Sequence, residues 1–468
     1  MRFSVKFSVI VGALLFIYIA ARAYFLSITH DEALTFDIIQ GDLVRATTSN
    51  DHVLNTFLVK RFMSVFGERE WVLRAPNVLA YLLYLCFSIK ILQRLGSPFF
   101  FIAGFGLLHF NPFLMDFFSL ARGYGLSIAF MTMGLYYAMR IAREGQFRDG
   151  YLSLGLWGGV FAAVLSNYTI LVFYLAIFAG YYAHVAFKPE GISLSRRLWA
   201  NKFGIIANAG FLGSVLLESF RLKNKGQLYF GGDGSFLHEV VGSNLDCLLY
   251  FKDYGVLNGW VYWLAVATFV VIAAYYAWES YHRKVESDFM VAGFLLFTMS
   301  GIAIAIHHLE GVLYPMERTA LFYYPIWVFA LVFCFNGLRW KGIQYGVVGL
   351  LSACLMLHFL TTMNLSYSYT WFYDRHTKDA VERLEQLHEP GKGMMLGAHW
   401  KFGPAINYYR RVKRLDWLNP ILIPGFDKRN CYDYYYILES ERGDMDSCKG
   451  RNILIRQFGD IGAVLLKK

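Results

Sequence analysis

The chain has 468 residues, of which 56% are hydrophobic and only 17% charged, and its 44 Lys and Arg outnumber its 34 Asp and Glu for a formal charge of +10. Soluble domains run nearer ~25% charged, so this balance excludes a disordered segment, a coiled coil and an ordinary water-soluble enzyme. The positive excess has to be read against membrane topology first, and no nucleic-acid partner is expected.

In chain order, apolar runs fall near 8–28, 73–93, 98–118, 123–142, 150–166, 169–187, 203–220, 257–278, 289–307, 319–337 and 343–362. They predict an α-helical, polytopic membrane protein with about 11 transmembrane helices. The stretch 150–187 reads either as two short helices broken at Ser166-Asn167-Tyr168 or as one long bent one. The first run lacks a small-residue cleavage site and stays apolar through Ala20-Ala21-Arg22-Ala23-Tyr24, so it reads as a retained anchor.

Basic residues in the short connections set the expected orientation. With Arg2 and Lys6 inside, the basic groups around 90–94, 140–148, 188–202, 283–284 and 339–341 also fall inside, whereas the alternate turns at 119–122 and 166–168 carry Arg122 alone. This predicts a multi-pass protein of the cell (inner) membrane with a cytoplasmic N-terminus. The external parts are then the loops 29–72, 221–256 and 308–318 and the polar tail. The tail has strand-like runs at 393–397 and 434–438 and a helical pattern at 377–388. It therefore reads as a small extracytoplasmic α/β domain, 363–468, after a transmembrane domain, 1–362. In an oxidising compartment Cys431 and Cys448 become candidates for a disulfide.

The first external loop opens Thr29-His30-Asp31-Glu32-Ala33. Carboxylates at a membrane boundary are costly to desolvate and so are functional candidates. They can deprotonate an acceptor or hold a divalent cation. The competing reading is a plain helix start, with Asp31 capping and Glu32 favouring the positive end of the dipole. Beyond it, apolar residues at 54, 57, 58, 62, 65 and 66 follow helical spacing and predict an amphipathic helix lying on the surface. His52, Asn55, Thr56 and Val59 share its other side, where they could orient a lipid-linked head group; alternatively His52 is only a polar cap. Arg122, in Leu120-Ala121-Arg122-Gly123-Tyr124, departs from the positive-inside trend. Its planar fork suits a phosphate, and snorkelling to lipid phosphate is the plainer account. Arg318 is a second phosphate candidate, with an ion pair to Glu317 or Glu310 as the alternative.

A further stretch reads Phe66-Gly67-Glu68-Arg69-Glu70-Trp71-Val72-Leu73-Arg74-Ala75-Pro76. In this order the pieces resemble the GT-C superfamily of membrane glycosyltransferases, and within it the protein O-mannosyltransferase and aminoarabinose-transferase group. That group places an acidic pair beyond the first transmembrane helix, matched by Asp31-Glu32, and a surface helix with a His-rich start, matched by His52. A Phe-Gly-x-x-Glu…Leu-Arg-x-Pro stretch follows, matched by 66–76, and Arg122-Gly123-Tyr124 and Glu317-Arg318-Thr319 with Pro325 also resemble family positions. The resemblance is close over 29–140, patchy to 330 and absent from the tail, and His52-Val53-Leu54 stands where the family often has His-Pro-Pro.

The resemblance implies a GT-C fold and transfer of a sugar from a polyprenyl-phosphate-linked donor to a lipid, glycan or protein acceptor at the outer face, with inversion. Asp31 is the implied catalytic base, with Glu32 as second choice or metal partner. Arg74, Arg122 and Arg318 are the implied donor-phosphate ligands, and His52, Asn55 and Tyr124 the implied positioning groups. A divalent metal ion is left open as a cofactor, with Asp31, Glu32, His307 and His308 as its weak candidate ligands. The alternatives are a transporter or flippase, or a polymerase or ligase, for lipid-linked glycans. A transporter would carry charges near the bilayer midplane, whereas here they gather at helix ends.

Overall fold

The computed structural model describes residues 2–41, 52–187, 193–227, 230–282, 287–339, 341–422, 425–427, 429–445 and 453–468. Helix α1 (Arg2–Phe25) is followed by α2 (His30–Gln40) and α3 (Val53–Phe66). Next come α4 (Glu70–Leu92), α5 (Pro98–His109), α6 (Pro112–Phe118), α7 (Tyr124–Glu144), α8 (Tyr151–Ser166) and α9 (Leu171–Phe187). A short α10 (Leu194–Trp199) leads to α11 (Lys202–Asn224), α12 (Ser243–Leu249), α13 (Val256–Tyr281), α14 (Asp288–Glu310), α15 (Tyr323–Gly337) and α16 (Lys341–Thr362).

Every expected apolar run is helical, but they are not equally able to cross a bilayer. Among the described residues seven helices are long and apolar enough, and α5 with α6, bent by 64°, passes the same test as a pair, either a broken span or a re-entrant loop. The bend has a local cause. The Asn111 side chain accepts the Leu114 N–H, and Pro112 occupies the first turn, where its missing N–H leaves no bond unmade. Helices α8 and α15 are shorter apolar helices. The stretch 150–187 resolves into two, because Asn167 stops α8 and its side chain caps the next turn through Thr169 N–H.

The tail adds α17 (Thr377–Leu387), β1 (Leu396–Ala398), α18 (Gly403–Val412), β2 (Tyr434–Leu438), β3 (Ile453–Phe458) and β4 (Ala463–Lys467). The sheet order is β1-β2-β4-β3. Strands β1 and β2 are parallel, with α18 in the crossover, and the other pairings are antiparallel. The Tyr434-Tyr435-Tyr436 run is a packed central strand, each residue at most 5% exposed. One apolar cluster fills the helical body. A second joins Ile28, Phe36, Val59 and Leu73 to Ala405, Tyr436 and Leu465, so the tail and the segment bearing α2 and α3 share a core. Cys431 is disulfide-bonded. Cys448 lies outside the described residues.

Helix α3 is amphipathic, yet its polar side faces the protein. Asn55, Thr56, Val59 and Met63 are buried, whereas Phe57, Val65 and Phe66 are exposed. Where the surrounding medium is lipid, an apolar face can look outward and the polar face inward.

Candidate active site

Thr29 caps α2 through a capping box, its hydroxyl accepting the Glu32 N–H while the Glu32 carboxylate accepts the Thr29 N–H at 3.0 Å. This fixes Asp31 and Glu32 in the first turn. Successive residues of a helix point about 100° apart, so the two carboxylates meet different partners.

Glu32 turns inward. Its Oε1 accepts Arg74 Nε–H at 2.8 Å and Ala121 N–H at 2.6 Å, and its Oε2 accepts Arg74 Nη2–H at 2.7 Å. Arg74 gives its remaining donors to the carbonyls of Ala23, Leu26 and Ser27 at 3.1, 2.8 and 2.8 Å. Both side chains are 0% exposed. A guanidinium has five N–H groups and all of Arg74's are engaged. Arg74, expected at a donor phosphate, and Glu32, expected in catalysis or at a metal, thus face each other here, and this pair ties α1, α2, α4 and the 119–123 turn together.

Asp31 faces Arg122, with Oδ2 3.2 Å from Nη2, and its side chain is 11% exposed. Arg122 also donates to the Asp31 carbonyl and to Thr35 Oγ1, both at 3.3 Å. The next residue has to be glycine: a Cβ on Gly123 would sit 1.8 Å from the Ser166 carbonyl oxygen and 2.8 Å from His52 Cβ. That close approach carries His52 into the site. Its Nδ1–H donates to the Ser166 carbonyl at 2.8 Å and its ring meets Tyr124 edge-on at 4.9 Å. The donated proton fixes the tautomer, so Nε2 presents a lone pair, buried and with no hydrogen-bond partner among the described residues. Burial, and then the charge of Arg122, hold the imidazole well below its ordinary pKa.

Arg318 completes the cluster. It lies close to Tyr124, its guanidinium is 4.2 Å from the Phe230 ring and 5.6 Å from that of Trp371, and its Nε is buried without a partner among the described residues. Gly232 pairs with Tyr314 in an antiparallel bridge, which brings the Phe230 segment to this place. Glu317, beside it, adopts φ 49°, with its N–H donating to Ser243 Oγ at 2.8 Å.

Two other expectations change. Asn55 is 0% exposed and bridges the Ala121 carbonyl at 3.0 Å and Asn77 Nδ2 at 2.7 Å, so it braces helices rather than facing a substrate. His307 stacks on Tyr314 at 4.0 Å and donates to the Val312 carbonyl at 2.9 Å. Among the described residues no three His, Cys, Asp or Glu side chains converge.

Three residues went unread in the sequence. Asp116 on α6 pairs with Arg22 on α1, both nearly fully buried, and its two oxygens share the single O–H of Tyr250, each 2.9 Å from Oη. An acid and a base inside apolar runs were the available signal. Trp371 and Asp374, from a polar stretch, carry no such mark. Asp374 accepts the His30 N–H at 2.6 Å, and burial pushes its pKa well above the ordinary carboxylate range, opposed in part by that bond.

Residues 53–207 match the family model for dolichyl-phosphate-mannose-protein mannosyltransferases. No curated protein matches the chain. Among solved structures the chain is similar to ArnT from Cupriavidus metallidurans in the apo state, with a TM-score of 0.57 at 12% identity over 99% of this chain and 97% of that one. The same protein bound to undecaprenyl phosphate gives a TM-score of 0.56 at 11% identity and equal coverage, 99% and 97%. The overlap with the Archaeoglobus fulgidus oligosaccharyltransferase, with a TM-score of 0.42 at 12% identity over 86% of this chain and 61% of that chain, is too low to carry weight. The chain therefore shares a segment, 53–207, with that mannosyltransferase family and its overall fold with ArnT.

Proposed function

We propose that the protein transfers a sugar from a polyprenyl-phosphate-linked donor to an acceptor at the outer face of the membrane, with its N-terminus in the cytoplasm and the 363–468 tail outside. The observation that carries this reading is the buried Asp31–Arg122 pair, 3.2 Å apart, with Arg318 set against Tyr124 beside it. It is supported by the undecaprenyl phosphate that the structurally similar ArnT binds.

The chemistry follows from charge. A sugar linked to a polyprenyl phosphate leaves behind a phosphate with one more negative charge. Arg122 and Arg318 meet that charge as it develops. As the phosphate engages Arg122, the carboxylate of Asp31 loses part of its partner and becomes the stronger base. Asp31 takes the acceptor proton, the acceptor oxygen or nitrogen bonds to the anomeric carbon, and the bond from that carbon to the phosphate oxygen breaks with its electron pair. Attack opposite the leaving group inverts the centre. His52, neutral with its lone pair on Nε2, accepts a hydrogen bond from a hydroxyl rather than from phosphate oxygen.

The test is native mass spectrometry of the protein from mild detergent, before and after incubation with undecaprenyl phosphate and its glycosylated forms, followed by turnover. A retained lipid phosphate and a loss of about 10³-fold in kcat for Asp31→Asn are expected. An Asp31→Asn protein with wild-type turnover refutes the base assignment.

A further inference from the structure

The segment from Asn364 to Lys378, just beyond α16, touches the Arg22–Asp116 pair, Arg318 and the start of α2. The carbonyls of Asn364 and Tyr367 accept from Arg22 at 2.7 and 2.8 Å, and the Tyr369 N–H donates to Asp116 at 2.8 Å. Trp371, 3% exposed, lies against Arg318. Asp374, 1% exposed, takes the His30 N–H, and the Lys378 N–H donates to Ser27 Oγ at 2.9 Å.

His30 opens α2, so its N–H is one of the donors that a helix start leaves without a partner in the helix. The capping box already serves Thr29 and Glu32. Asp374 reaches in from a segment more than 340 residues later to serve the remaining position next to Asp31. A buried carboxylate normally has a cation beside it. Among the described residues Asp374 has no ion-pair partner, and its other oxygen meets only the Thr377 hydroxyl, at 3.4 Å. Placing such a group within range of the like charges of Asp31 and Glu32 is unfavourable for stability, and a costly feature beside a reactive group points to function.

We propose that Asp374 is a positioning residue for Asp31: by holding the first turn of α2, the 364–378 segment makes the tail a structural wall of the transfer site. This rests on the reading of Asp31 as the base. The geometry also states how tolerant the position is. An amide oxygen can accept the same N–H, so asparagine preserves the hold, whereas leucine fills the space and abolishes it.

The experiment compares full-length wild type, Asp31→Asn, Asp374→Asn and Asp374→Leu in vesicles, using whichever undecaprenyl-phosphate sugar the wild type turns over. It adds hydrogen exchange of the 27–36 peptide. Asp374→Leu should lower kcat by about 30- to 100-fold, the scale of a slightly misplaced catalytic group, with donor KM within about threefold. It should also accelerate exchange at His30 and its neighbours. Asp374→Asn should recover kcat to within about fivefold and restore slow exchange. Wild-type kcat in Asp374→Leu, or Asn as impaired as Leu, overturns the proposal. If instead Asp31→Asn turns over normally, the base assignment fails, and the exchange data alone then decide whether Asp374 holds the turn.

Discussion

Asp31 and Glu32 are neighbours in sequence, yet they build two different centres. The Glu32–Arg74 pair is bidentate at 2.7–2.8 Å and sealed at 0% exposure, with every donor of the arginine engaged. The Asp31–Arg122 pair is longer at 3.2 Å and its carboxylate is 11% exposed. On the function proposed here the difference separates a joint from a working group: the Glu32–Arg74 pair is closed to solvent, while Asp31 and Arg122 are the pair that an incoming phosphate would meet.

Single substitutions can break that contrast. Arg74→Met should be the most damaging to folding, about 3–5 kcal/mol, because it strands a buried carboxylate; the double variant Glu32→Leu/Arg74→Met should recover much of the loss in a thermal unfolding assay. Arg122→Met should reverse the pattern, with turnover down by about 10²-fold or more and only a modest change in unfolding temperature. A smaller effect is expected at Arg318, where removal of the charge in Arg318→Gln should raise donor KM by about tenfold while folding is unaffected.

The smallest effect is a pH dependence at His52. Its folded pKa lies below the unfolded value of 6.5, so below that pH the unfolded chain binds a proton that the folded one does not. Stability from this group is complete above about pH 6.5 and declines as the pH falls, by at most ~1.4 kcal/mol per unit. Unfolding temperatures of wild type and His52→Gln should run parallel above pH 7 and converge below 6. Parallel curves throughout would mean that the ring is not held neutral.

Hydropathy made the membrane body legible, because a chain with this many apolar runs of helix length can bury them only in a bilayer. The acidic pair was legible as a place but not as two roles, since direction around a helix decides them and the partners Arg74 and Arg122 lie in distant segments. Asn55 misled because it sits on the polar side of an amphipathic helix, which in water would face outward and here faces the protein. Asp374 was unreadable: a single acid in a polar tail has no periodicity or spacing to mark it, and only the packing of the tail onto α2 gives it meaning.

The contact at Gly123 bears on how this sequence can vary. Positions 52, 123 and 166 are far apart along the chain but occupy one point in space, with 1.8 Å between an added methyl carbon and the Ser166 oxygen. Position 123 is thus closed to every side chain while α3 and α8 keep their present spacing. Any drift between those helices would register first at Arg122 and Tyr124, one residue to either side. Because the nearest atom is a backbone oxygen, which every residue carries, no exchange at 166 makes room for a side chain at 123, and only a shift of the helices does.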